Sequence, residues 1–296
     1  MSTTFAKKRL AVYLAVTFVL TWAIVITAGI ATGAFVNGEL ATPAVIAPVG
    51  ISMFAPLVGA LVANRACGES GRIDLCFRPR IKGNVRFYLA AWFVPALATL
   101  LGCVLFFALN PQLFDPTLTS YLNSVAGSAV SQQLADQMPV VIASTIVASL
   151  TIAPFINAIP AFGEEAGWRG MLFPTLCELM SERAAVIISG VIWGLWHAPV
   201  IAMGHNYGMG YLGFPWTGII VMIVACTTLG AGLSYLRLRT QSVLPCALAH
   251  GAVNAVANIG IVFCAAGQTL AGPSPLGYIA GIPIFIIGIV CISKLK

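Results

Sequence analysis

The sequence has 296 residues, 59% of them hydrophobic and only 8% charged, with a mean hydropathy of +0.95 and a formal net charge of +6. Soluble domains of this length are about 45–50% apolar and about 25% charged, so a water-surrounded globule is excluded. A nucleic-acid partner is not called for either, because the positive excess is accounted for by membrane topology below.

Several apolar runs reach the roughly 20 residues needed to cross a ~30 Å hydrocarbon core. In chain order the spans fall at about 10–32, 43–64, 86–109, 139–163, 184–203, 216–236, 242–265 and 274–293. Lipid cannot satisfy open backbone groups, so such runs form helices or closed barrels, and barrel strands would alternate over about ten residues. The expected fold is therefore an all-α bundle of eight transmembrane helices forming one domain over 1–296. The first run follows Lys7, Lys8 and Arg9 and exceeds the h-region of a signal peptide, which makes it a retained anchor.

The basic residues test the count. Arg65, Arg72, Arg78, Arg80, Lys82 and Arg86 lie between spans two and three, and Arg169 and Arg183 near the link between four and five. Arg237 and Arg239 follow span six, and Lys294 and Lys296 follow span eight. With eight spans they share one side, which the positive-inside rule makes cytoplasmic, together with both termini. The long outer segment 110–138 spaces Leu118, Leu122, Val125 and Ala129 as a short interfacial amphipathic helix would. Loop 205–216 clusters Tyr207, Tyr211, Phe214 and Trp216 like an aromatic belt. Gly29/Gly33, Gly190/Gly194 and Gly277/Gly281 suit close helix packing within the chain. The eight cysteines show neither a disulfide pattern nor a zinc-like C-x2-C spacing and read as small hydrophobes.

Against this background three charges stand out in AFGEEAGWRGMLFP, residues 161–174. Intramembrane charge is costly, about 2.5–3.5 kcal/mol per residue on insertion scales, and marks function. Glu165 and Arg169 are i,i+4 neighbours that can pair, while Glu164 projects about 100° away and is left without a local partner. Two of the three histidines also enter spans: His197 in WGLWHAP, and His250 in LPCALAHGAVN with Asn254 one turn later. Helical rise places them roughly 10–20 Å from the cytoplasmic boundary, so Glu164, His197 and His250 can converge on one polar pocket that opens inward. A carboxylate beside an imidazole can take a proton from water, and a second imidazole with an amide N–H can stabilise an oxyanion. Prolines 154, 160, 199 and 245 interrupt the helices nearby, as is tolerated beside a hydrated cavity. A structural ion pair plus one interfacial carboxylate is the plainer reading of the same glutamates.

The segments EE-A-G-W-R at 164–169, W-x-x-x-H at 193–197 and H-x-x-x-N at 250–254 resemble the three ordered motifs EExxxR, FxxxH and HxxxN/D of the CPBP family, also called CAAX prenyl protease-like or Abi proteins. The likeness covers about 140–258. Membership implies an intramembrane endopeptidase acting on a prenylated or apolar peptide in contact with membrane lipid. By the matching positions Glu164 would be the general base, assisted by His197; His250 and Asn254 would stabilise the oxyanion; Glu165 and Arg169 would support the site. Trp193 stands where the family has phenylalanine, a change expected to affect packing only. The expected cofactor is none. Zinc on Glu164, His197 and His250 is the alternative, although no H-E-x-x-H motif is present. The rival readings are a non-catalytic scaffold, as in bacteriocin immunity, and a proton-coupled carrier. A bacterial plasma membrane is the expected location.

Overall fold

The computed structural model describes residues 3–38, 40, 42–126 and 132–296, with 124–126 and 132–136 described by backbone alone. It is helical, with two isolated bridges and no strand among the described residues. Its main helices are α1 (Thr3–Thr32), α2 (Pro43–Ser52), α3 (Ala55–Ala66), α4 (Val85–Leu109), α5 (Thr119–Ala126), α6 (Gln132–Thr151), α7 (Ala153–Gly167), α8 (Phe173–Cys177), α9 (Glu182–Trp196), α10 (Trp216–Thr240), α11 (Leu244–Val256) and α12 (Ile282–Ser293).

Five helical segments are long and apolar enough to cross a membrane: Thr3–Thr32, Pro43–Ala66, Val85–Leu109, Trp216–Thr240 and Leu244–Val262. The pair Gln137–Thr151 and Ala153–Cys177, bent by 55°, makes a sixth if it is one span. This is a multi-pass membrane protein. The spans expected at 184–203 and 274–293 are shorter helices of 15 and 12 residues, covering about 22 and about 18 Å at the helical rise. Their breakers explain the shortening. Pro199 has no N–H with which to continue α9 through His197, and Pro273, Pro275, Gly277 and Gly281 delay the start of α12. Helix α5 covers Leu122 and Val125 of the expected amphipathic helix, and Leu118 at its entry is buried; Ala129 lies outside the described residues.

Two helix contacts set up the site. Gly190 and Gly194 of α9 face α10, where a Cβ on Gly194 would lie 2.5 Å from Ile223 Cα. Gly251 of α11 faces α7, where a Cβ would lie 2.5 Å from the Ala158 nitrogen. Only a missing side chain allows backbones so close. The other two glycine pairs join no long helices: Gly33 has φ 71° beyond the end of α1, and Gly277 packs on Ala271.

Basic side chains tie one end of the bundle together. Lys8 Nζ donates to Ala66 O at 2.7 Å, and buried Arg9 donates to Gly71 O at 2.6 Å and forms an ion pair with Glu178. Arg183 Nε donates to Leu295 O at 2.9 Å, and an Arg237 guanidinium N–H donates to Cys76 Sγ at 2.9 Å. These contacts join the start of α1 to the end of α3, the start of α9 to the end of α12, and the end of α10 to the segment between α3 and α4.

Candidate active site

Residues Gly163 to Phe173 are all buried, although three of them are charged. Helix α7 continues past the glutamates into a π-helical turn, Trp168–Leu172, before α8. The Phe173 N–H donates to Trp168 O, five residues back, and Pro174 has no N–H to offer Gly170. A widened turn of this kind is common at functional sites. It keeps Trp168 and Arg169 in register with Glu164 and Glu165 below while the helix absorbs its proline.

The two glutamates have different surroundings. Glu165 Oε1 accepts from an Arg169 guanidinium N–H at 3.0 Å and from His250 Nδ1–H at 3.0 Å. All three side chains are buried, and the Arg169 guanidinium also lies 4.5 Å over the Trp193 ring. The pairing of Glu165 with Arg169 matches the helical spacing. The link to His250 does not appear in the sequence, since it crosses from α7 to α11 and depends on the close approach at Gly251. Glu164 Oε2 instead accepts from two indoles, Trp193 Nε1–H at 2.9 Å and Trp168 Nε1–H at 3.1 Å. Its neighbours on that oxygen are neutral, and Oε1 has no hydrogen bond among the described residues.

Trp193 therefore departs from the expectation that it serves packing alone. Phenylalanine has no N–H, and here the indole holds the candidate base directly. Trp168 could have been found from the sequence, being i+4 from Glu164; Trp193, on another helix, could not.

Glu164, His197, His250 and Asn254 line one cavity of about 290 Å3. They come from α7, from the residue that ends α9, and from two successive turns of α11. Glu165 and Arg169 are outside it. His197 Nδ1–H donates to Trp193 O at 2.9 Å, since a carbonyl can only accept, which leaves Nε2 of a neutral ring as an acceptor. His205, given no role by the sequence reading, lines the same cavity, and burial pushes its pKa down to about 4, so its ring is neutral at pH 7.

Broken helices surround the cavity. The α2–α3 break at Met53–Phe54 touches it through Met53, and the α9 break touches it at His197, as expected where non-helical backbone sits at membrane depth. The lining follows α10 from Met222 to Leu229 and α11 from His250 to Asn254, continues at Ala257 and Asn258 just beyond it, and includes Asn206 and Leu276. The cavity thus extends from Glu164 along the halves of α10 and α11 that lie away from Arg237 and Leu244.

Among the described residues no three His, Cys, Asp or Glu side chains come together as a metal's ligands would. Glu164 Oε2 and the Nδ1 atoms of both histidines are committed to indole, carbonyl and carboxylate partners.

Residues 138–256 match the family described as type II CAAX prenyl endopeptidase Rce1-like. The matched segment contains all three motifs. A curated relative, CAAX prenyl protease 2 of Methanococcus maripaludis, is 40% identical over 53 residues, which is 18% of this chain and 20% of that protein. The chain thus aligns with about a fifth of the length of that relative.

Proposed function

We propose, for a chain that carries a domain of the Rce1-like type II CAAX prenyl endopeptidase family over residues 138–256, that it is an intramembrane endopeptidase hydrolysing a peptide bond of a prenylated or membrane-embedded substrate. The observation that carries this reading is the meeting of Glu164, His197, His250 and Asn254 on one cavity wall.

In this reading the indole N–H groups of Trp168 and Trp193 fix Glu164 Oε2, and Oε1 takes a proton from water held between it and His197 Nε2. The water oxygen attacks the substrate carbonyl. The Asn254 amide and the His250 ring donate to the oxyanion. Because His250 Nδ1–H is turned to Glu165, a second donor at Nε2 requires the imidazolium, which the Glu165 carboxylate stabilises. Glu164 then returns its proton to the leaving amine, completing hydrolysis without a metal. The basic end of the bundle is cytoplasmic by the positive-inside rule, the membrane is a bacterial plasma membrane, and the cavity reaches from mid-bundle into the opposite half.

The test is cleavage of a prenylated peptide by the full chain in proteoliposomes. Glu164→Gln is expected to lower kcat by about a thousandfold or more, with folding retained, and chelator to leave the parent's rate unchanged. Full activity in Glu164→Gln overturns the assignment of the base. Loss on chelation, restored by zinc, overturns the metal-free reading.

A further inference from the structure

Beside the polar cavity is a second one of about 240 Å3, bounded by α4, α10, α11 and α12. Its walls are apolar apart from Thr228 and Tyr235, and they are cut back by small residues at Ala90, Ala98, Gly232 and Ala249. Leu229 of α10 and Val253 of α11 line both cavities, so the two spaces meet at a single pair of side chains. At Gly232 an added Cβ would meet nothing within 4 Å; the helix there faces open space.

We propose that this groove holds the apolar chain attached to the substrate while the peptide lies in the cavity of Glu164. The proposal rests on the endopeptidase reading above. The cavity walls divide an amphiphile in this way: His197, His205, Asn206 and Asn254 on one side of Leu229 and Val253, hydrocarbon on the other. A free lipid tail gains no hydrophobic term on leaving the bilayer, which is as apolar as the groove. A chain tethered to a peptide already held next door enters as an intramolecular event, at a raised effective concentration. The groove therefore contributes register: it fixes how far the scissile carbonyl lies from Glu164, and misplacement by about 1 Å costs rate steeply.

Because a Cβ at Gly232 meets nothing within 4 Å, Gly232→Leu extends a side chain into the groove and replaces a poor helix former with a good one. The variant is expected to cut kcat/KM for a prenylated peptide by about tenfold, and to leave kcat/KM for the same peptide without the chain unchanged. Equal loss on both peptides, or loss on neither, overturns the proposal. A second readout does not depend on turnover. In the Glu164→Gln background, a peptide whose chain ends in a diazirine should photolabel the segment around Ala90 and Leu236, and Gly232→Leu should abolish that label. Labelling there by a diazirine phospholipid but not by the peptide chain overturns it in favour of a bilayer lipid. If the parent cleaves neither peptide yet the chain's label is lost in Gly232→Leu, the groove stands and the endopeptidase reading fails.

Discussion

Glu164 and Glu165 are adjacent and equally buried, yet they belong to opposite regions of the site. Glu165 is closed in by a guanidinium and an imidazole and has no access to the cavity; Glu164 is held only by two neutral indoles and forms part of the cavity wall. The contrast shows how a membrane interior can keep one carboxylate as a structural counter-ion and the next as a reagent. Cationic partners neutralise the first, while neutral donors fix the second without cancelling its charge. The sharpest way to break the comparison is to remove each carboxylate and measure stability. Glu165→Ala leaves Arg169 buried without its counter-ion and is expected to destabilise by about 3–5 kcal/mol in chemical unfolding from mild detergent. Among the described residues Arg169 has no other carboxylate within ion-pair distance, and its Nε is already buried without a hydrogen-bond partner. Glu164→Ala should unfold much closer to the parent, because the side chains it leaves unpaired are neutral. Equal destabilisation of the two variants would erase the distinction.

The sequence showed this division only in part. The Glu165–Arg169 pair, the all-helical fold and the isolation of Glu164 follow from helical spacing and hydropathy, which are local rules. Helical rise allowed Glu164, His197 and His250 to share one depth, and the resemblance of three motifs joined Asn254 to them, since spacing cannot say which helices touch. Three features needed the fold. His250 reaches Glu165 because Gly251 lets α11 lie against α7; Trp193 reaches Glu164 because Gly190 and Gly194 set how α9 docks; His205 joins the cavity because the chain turns back after Ile201. The runs at 184–203 and 274–293 fold as helices of 15 and 12 residues, a shortening that hydropathy hides because it averages across prolines that end helices.

The second way to sharpen the comparison removes one neutral donor. Trp193→Phe keeps an aromatic ring against His250 and under Arg169 but deletes the 2.9 Å bond to Glu164. A charge-assisted hydrogen bond of about 1.4 kcal/mol corresponds to about a tenfold fall in kcat, with KM and unfolding close to the parent because ring packing is kept. If Trp193 served packing alone, kcat would stay as well. A fall in stability together with kcat would move Trp193 into the structural region beside Glu165.

The smallest expected effect separates the two indoles. Trp168 donates to the same oxygen from the same helix, at 3.1 Å, and its ring is also held by Tyr13 and Trp196. Trp168→Phe should therefore keep its place in the core and lower kcat by only about threefold, less than the change at Trp193, whose bond is shorter. The informative measurement is the double variant. Two donors that share one acceptor are coupled, so their effects should not add. With both indoles gone, Oε2 has no partner fixing it and the carboxylate can rotate. The loss in kcat should then exceed the product of the single losses. Additive losses would mean that each indole acts on Glu164 independently, and that the carboxylate is positioned by its backbone instead of by the pair.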